Sequence, residues 1–156
     1  MFRSTLMISG VIWSLMVLAL SQAALAEPLV YTNSSTGIAI HGYDPVAYFT
    51  QSAPVQGSAE FAAEWNGAPW HFSSAENRDL FLADPERYAP QYGGWCAFAM
   101  AQNAFATSIP EAWTVRDDKL YLNFSTGVRT QWLTDPAGFI SRADAHWQGR
   151  LAEAGG

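Results

Sequence analysis

Cysteine is nearly absent from this chain, since the 156 residues include one. A single thiol excludes an intramolecular disulfide framework and any zinc site built from cysteines alone. Charge is scarce as well: charged residues make up 14% of the sequence, and 14 acidic against 8 basic residues give a formal net charge of −6. Nucleic-acid-binding proteins usually carry a basic face that neutralises phosphates. Nucleic acid is therefore not an expected partner.

Compact catalytic and metal-binding motifs are also missing. The sequence has no Gly-x-Ser-x-Gly elbow and no Walker loop, so no catalytic residue is predicted from a motif. The three histidines, His41, His71 and His146, form no closely spaced ligand pair. Aromatic residues, in contrast, are as frequent as charged ones, at 14%. This balance is typical of one small, packed domain rather than of a disordered chain.

The first 26 residues have the pattern of a secretory signal peptide. Arg3 provides a positive charge near the start, and residues 6–20 are mostly apolar. Ala24 and Ala26 provide small side chains at the two positions that a signal peptidase recognises. The apolar stretch is shorter than the roughly 20 residues that cross a bilayer. We therefore predict a signal peptide at residues 1–26 and a single domain at residues 27–156. The product is expected to be periplasmic or secreted, and not an integral membrane protein after cleavage.

Turn and capping residues indicate the elements of the remaining chain. Asn66-Gly67 and Asp117-Asp118 each lie between two apolar runs and predict two β-hairpins. Helix starts are predicted at Asp44-Pro45, within residues 73–76, at Asp84-Pro85 and at Asp135-Pro136. The predicted fold is α+β, a small single domain in which the two hairpins form an antiparallel sheet packed by several short helices.

Three segments carry further expectations. Residues 27–37 are polar and rich in turn formers, which indicates a loosely held arm, and residues 37–41 are expected to form a short strand. Residues 95–102 are apolar but too few for their periodicity to distinguish a helix from a strand. Leu80, Phe81 and Leu82 are expected to supply the buried stripe of the helix that starts near residue 74.

Several short strings in a fixed order resemble the YHS domain family. They are GYDPVAYF at residues 42–49, WHFSS at 70–74, NRDLF at 77–81, PERYAP at 85–90 and QYGGWCA at 91–97. The later strings at residues 113–115 and 119–124 are similar to the exported branch of that family, the YHS domain-containing (seleno)proteins.

The resemblance implies metal handling, although this sequence departs from the family pattern. Family members have cysteines after the aromatic-His-Phe string, where this chain has Ser73 and, near the second position, Asn77. The exported branch can carry selenocysteine at the Gly-Gly-x-Cys position. By resemblance, this points to Cys96 as a residue for redox chemistry or for binding a soft metal.

Cys96 is consequently the leading candidate site residue. If residues 95–102 are helical, Cys96 lies in the first turn, where the helix dipole and free N–H groups favour a thiolate. Together with His71 and His41 it forms the candidate set of metal ligands, which suits copper or zinc. The alternative is that Cys96 is a buried, inert side chain.

Three functions remain open on this sequence. The first is an exported, non-catalytic binding domain that handles a soft metal ion such as copper through its lone thiol. The second is a thiol-based redox enzyme in which Cys96 reacts and an outside thiol partner resolves it. The third is an interaction domain in which the cysteine is inert and no cofactor is bound.

Overall fold

Two antiparallel β-hairpins organise the chain. A computed structural model describes residues 27–155; the predicted signal peptide lies outside the described residues. Strands β1 (Ser58–Trp65) and β2 (Ala68–Phe72) are joined at Asn66-Gly67, and strands β3 (Ile109–Arg116) and β4 (Lys119–Asn123) at Asp117-Asp118. All four turn residues have φ between 50° and 77°, the left-handed backbone that two-residue hairpin turns require. Both predicted hairpins are confirmed.

The predicted α+β fold class is confirmed, although the two hairpins form separate two-stranded sheets rather than one shared sheet. The chain around Ile40 lies between them. Ala39 donates its backbone N–H to the carbonyl of Pro69 in β2 at 2.9 Å, and the ring of His41 bonds to the carbonyl of Ser108, just before β3, at 2.8 Å. Because these groups are already paired with residues 39–41, β2 and β3 do not pair with each other.

Residues 37–41 do not form the expected strand. Their extended pairing is limited to one bridge between Thr32 and Ala39, after which the chain turns into a 3-10 helix at Ile40–Gly42. Ile40 and His41 have φ of 41° and 60°, which is incompatible with a strand. This turn places the His41 ring between the two hairpins, where it bonds to Ser108.

Short helices cover the hairpins. They are α1 (Ala47–Thr50), α2 (Ala75–Ala83), α3 (Pro85–Tyr88), α4 (Ala97–Met100), α5 (Thr126–Trp132) and the longer α6 (Pro136–Ala154). At four helix starts, the side chain of Ser74, Asp84, Ser125 or Asp135 accepts a bond from a backbone N–H three residues later. The starts near 74, 84 and 135 were predicted, whereas α5 was not.

The arm at residues 27–37 is tied down, contrary to the expectation of a loose segment. Tyr31 donates its N–H to the carbonyl of Gly93, and the indole of Trp95 donates to the carbonyl of Pro28, both at 2.9 Å. Val30 and Tyr31 are buried. Apolar burial therefore outweighs the turn-rich composition of the arm.

Two aromatic clusters form the core. The first is built around Trp70, Phe72 and Phe81, and the second around Tyr92, Tyr121 and Trp132. Of the expected stripe on α2 only Phe81 is buried, because Leu80 and Leu82 are 37% and 50% exposed. Within residues 27–155, no helix combines the length and the apolar character needed to cross a membrane.

Candidate functional site

Cys96 lies at the start of α4, and its sulfur faces the end of β4. The backbone N–H of Phe124 donates to Cys96 Sγ at 3.3 Å, and the thiol donates to Asn123 Oδ1 at 3.7 Å. Cys96 is 1% exposed. The lone thiol is thus held in a polar contact that residues 123 and 124 provide, and it is shielded from solvent.

Burial sets the ionisation state of this thiol. Desolvation raises the pKa of Cys96, while hydrogen bonds from the backbone at Ala99, Phe124 and Phe98 act in the lowering direction and are outweighed. Burial therefore opposes the thiolate that the sequence predicted at the helix start. The backbone N–H groups that favour a thiolate are present at the sulfur. The exclusion of water has the larger effect and favours the neutral thiol.

Asn123 completes the surroundings of the sulfur and was missed from sequence. It is fully buried, and its Oδ1 also accepts the N–H of Phe98 at 3.1 Å. Among the described residues its Nδ2 has no hydrogen-bond partner. The sequence did contain a signal for this residue, namely an asparagine at the end of an apolar strand. Asparagine is depleted in strands, so its presence there indicates a specific role.

The glycine pair before Cys96 serves the packing of the arm rather than access to the thiol. A Cβ at Gly93 would lie 1.7 Å from the carbonyl oxygen of Leu29, and one at Gly94 would lie 2.6 Å from Ile40 Cγ2. Both residues also have positive φ. Glycine is required at residue 93 because the backbone of the arm passes in direct contact, and at residue 94 because the side chain of Ile40 does.

His41 is fully engaged in structural hydrogen bonds. Its Nε2 lies 2.8 Å from the carbonyl of Ser108 and 3.0 Å from the hydroxyl of Tyr31, and its Nδ1 lies 2.8 Å from Asn33 Nδ2. Because a carbonyl can only accept, the ring proton belongs on Nε2, and Nδ1 accepts from the amide of Asn33. Neither ring nitrogen is free to bind a metal in this arrangement.

His71 is half-buried on β2, close to the turn that contains Gly42. Over residues 27–155, no group of three or more His, Cys, Asp or Glu side chains is placed to hold a metal ion. Cys96, His41 and His71 are therefore not assembled into a three-ligand site. His146 lies apart from them, on α6.

The two positions at which the YHS resemblance places cysteines belong to a buried carboxylate site. Asp44 is fully buried, and its Oδ2 accepts from Ser73 Oγ at 2.6 Å, from Ser73 N at 2.8 Å and from Asn77 Nδ2 at 2.7 Å. Its Oδ1 accepts from the N–H groups of Val46 and Ala47. Asp44 thus bonds to N–H groups at the start of α1, although the N-cap position belongs to Val46 and not, as predicted, to Asp44. Both of its oxygens are satisfied by N–H and O–H donors, so a cation is not needed to compensate its charge.

The structure is therefore a small α+β domain with two separate buried polar groups, the carboxylate of Asp44 and the thiol of Cys96. Residues 46–92 match the family model of the YHS domain. Over this range the chain is similar to YHS domains, a family associated with metal binding, and the predicted resemblance is confirmed there. The matched range includes Ser73 and Asn77 and ends before Cys96. Comparisons with curated proteins and with solved structures gave no match.

Proposed function

We propose that this protein is an exported, non-catalytic binding domain that takes up a soft metal ion, with Cu(I) as the first candidate, at the thiol of Cys96. The observation that carries the proposal is the polar environment of the sulfur. The N–H of Phe124 donates to the sulfur, the thiol donates to Asn123 Oδ1, and Asn123 Nδ2 has no hydrogen-bond partner among the described residues. A buried cysteine that acts only as a small apolar side chain does not need these polar partners.

Copper is favoured over zinc by the number of ligands available. Zinc in proteins almost always takes four ligands, and the described part of the chain offers no cluster of three or more. Thiolate and thioether donors select Cu(I). The association of the YHS domain with metal binding supports the same class of ligand.

The redox alternative receives less support from the sequence. Both functions use the thiolate of Cys96, and the burial that raises the pKa of this thiol opposes both of them equally. A redox cycle also needs a thiol to resolve the sulfenic acid, and the sequence holds no second cysteine. Export depends on residues 1–26 and is part of the proposal.

Anaerobic titration with Cu(I) against a chromogenic Cu(I) chelator tests the proposal. We expect the wild-type protein to take up one equivalent, and Cys96→Ala to lose it. His146→Ala serves as the matched control, because it removes a histidine outside the proposed site and should leave uptake unchanged. Circular dichroism and urea unfolding of each variant establish that it is folded.

The dependence of uptake on pH provides an independent readout. Binding at a protonated thiol releases one proton, so the apparent affinity should rise about tenfold per pH unit below the thiol pKa. The proposal is wrong if the folded wild type takes up no Cu(I) up to pH 9, or if Cys96→Ala keeps the equivalent.

A further inference from the structure

A groove with a volume of about 380 Å³ lies on the side of the molecule where both hairpin turns meet α6. Asn66 contributes from the first hairpin turn and Lys119 from the start of β4, next to the second turn. Glu86 and Gln91 contribute from α3 and the chain after it, and Trp147 from α6. The volume falls within the range of about 300–1,000 Å³ typical of ligand sites. The groove contains neither Cys96 nor the Asp44 carboxylate.

The floor and one wall of the groove are apolar. Trp65 and Trp147 are half-buried, Tyr92 packs at 6.1 Å from the Trp147 ring, and Leu151 is 37% exposed. Trp65 lies on β1, Tyr92 in the segment before Cys96, and Trp147 and Leu151 on α6, so three separate parts of the fold form the apolar wall. Partly exposed aromatic side chains around a concave surface are typical of recognition sites.

The rim of the groove carries polar groups that are not used within the fold. The amides of Asn66, Gln91 and Gln148 and the charges of Glu86 and Lys119 line it, and in the described structure none of these five side chains forms a hydrogen bond or an ion pair. Lys119 is also the only lysine of the sequence. One positive and one negative charge thus face the same groove without partners.

We propose that this groove binds a short extended peptide that carries an apolar side chain and both charge signs. Primary amides donate and accept at once, which matches the N–H and C=O groups of a peptide backbone. The Trp65 and Trp147 wall accommodates the apolar side chain, while Glu86 and Lys119 complement a cationic and an anionic group.

Other occupants fit these groups less well. An α-helix about 10 Å across would fill the volume within about one turn, so an extended segment of a few residues is the better match. A neutral saccharide would leave both charges without partners. A second copy of this chain would bring together two molecules with a net charge of −6 each.

The dipeptide Leu-Phe with free termini is a suitable probe. Its binding can be followed by chemical-shift changes in ¹H–¹⁵N spectra and by protection of Lys119 from acetylation, read by mass spectrometry. Because the chain has a single lysine, the modified site is unambiguous. We expect saturable shifts at residues of the groove and several-fold slower acetylation of Lys119.

Charge variants with matched controls test the recognition. Lys119→Gln and Glu86→Gln should each weaken binding by about two- to fivefold, as expected for exposed ion pairs. Arg116→Gln on the same hairpin and Glu60→Gln on β1 lie outside the groove and should leave the affinity unchanged. Cys96→Ala should also bind normally, which separates this proposal from the metal site.

Three results would overturn the proposal. The first is the absence of saturable shifts with Leu-Phe. The second is equal binding of the uncharged N-acetyl-Leu-Phe-amide together with unchanged affinity in both charge variants. The third is tighter binding of a neutral trisaccharide, triacetylchitotriose, in the same groove.

Discussion

Asp44 shows how a single buried charge is stabilised without a counter-ion. Moving a carboxylate out of water costs several kcal/mol unless donors replace the lost hydration. Here Ser73, Asn77 and the backbone N–H groups of residues 46 and 47 supply five such bonds. Ser73 and Asn77, at the positions where the resemblance implies cysteines, are thus part of a hydrogen-bond network that joins the end of β2 and α2 to the start of α1.

This role of Ser73 can be measured. Ser73→Ala removes the 2.6 Å bond to Asp44 Oδ2, and we expect the free energy of unfolding to fall by about 1.5–3 kcal/mol, as for bonds to charged groups. Urea denaturation provides the measurement. Ser141→Ala, an exposed position on α6, is the control and should stay within about 0.5 kcal/mol. A loss at Ser73 no larger than at Ser141 would contradict the structural role.

At the scale of elements, the arm and the Gly93-Gly94 segment stabilise each other. The arm has no regular secondary structure, and it is held by Tyr31 N–H on Gly93 and by Trp95 on Pro28. This contact also positions the segment that leads into Cys96. The identity of residue 93 therefore controls the docking of a segment about 60 residues away in sequence.

Gly93→Ala is expected to undock the arm. The new Cβ would meet Leu29 O at 1.7 Å in addition to the cost of a φ of +62°, so the free energy of unfolding should fall by clearly more than about 1 kcal/mol. Limited proteolysis should then cut within residues 27–35, and Trp95 fluorescence should shift to the red. Gly37→Ala isolates the backbone cost, because Gly37 has a similar φ of +72° and no atom within 4 Å of its Cβ position. Similar losses and cleavage patterns in the two variants would contradict a specific docking contact.

For the molecule as a whole, the buried hydroxyl and thiol groups make stability depend on alkaline pH. Burial raises the pKa of Tyr121 to about 12, and it raises the pKa of Tyr48, Tyr92 and Cys96 as well. In the unfolded chain the pKa is about 10 for tyrosine and about 8.5 for cysteine. The folded state holds protons that the unfolded state releases, so stability decreases as pH rises.

We therefore expect the free energy of unfolding to be fully retained below about pH 8.5 and to decrease from there toward pH 12. Urea unfolding at a series of pH values measures this dependence. Tyr121→Phe should reduce the decrease between about pH 10 and pH 12, while leaving the region below pH 9 unaffected. Stability that stays constant or increases up to pH 11 would show that these groups ionise equally in both states.

Local sequence determined the hairpins and most helix starts of this protein. Asn66-Gly67 and Asp117-Asp118 specify their turns through backbone conformations of two residues, and Asp84 and Asp135 cap helices through contacts only three residues away. Ser125 caps α5 in the same way, and its signal was available although it was not used. The sequence also identified Cys96 as the only thiol of the chain and placed it close behind two glycines.

Tertiary structure alone decided what those residues do. The hairpins stay apart because residues 39–41 occupy the space between β2 and the start of β3. The sulfur of Cys96 receives its partners from Asn123 and Phe124, 27 and 28 residues later, and His41 is bonded to Ser108, 67 residues later. Hydration and hydrogen-bond partners set the state of a thiol or an imidazole, and both depend on which distant segments exclude water around it.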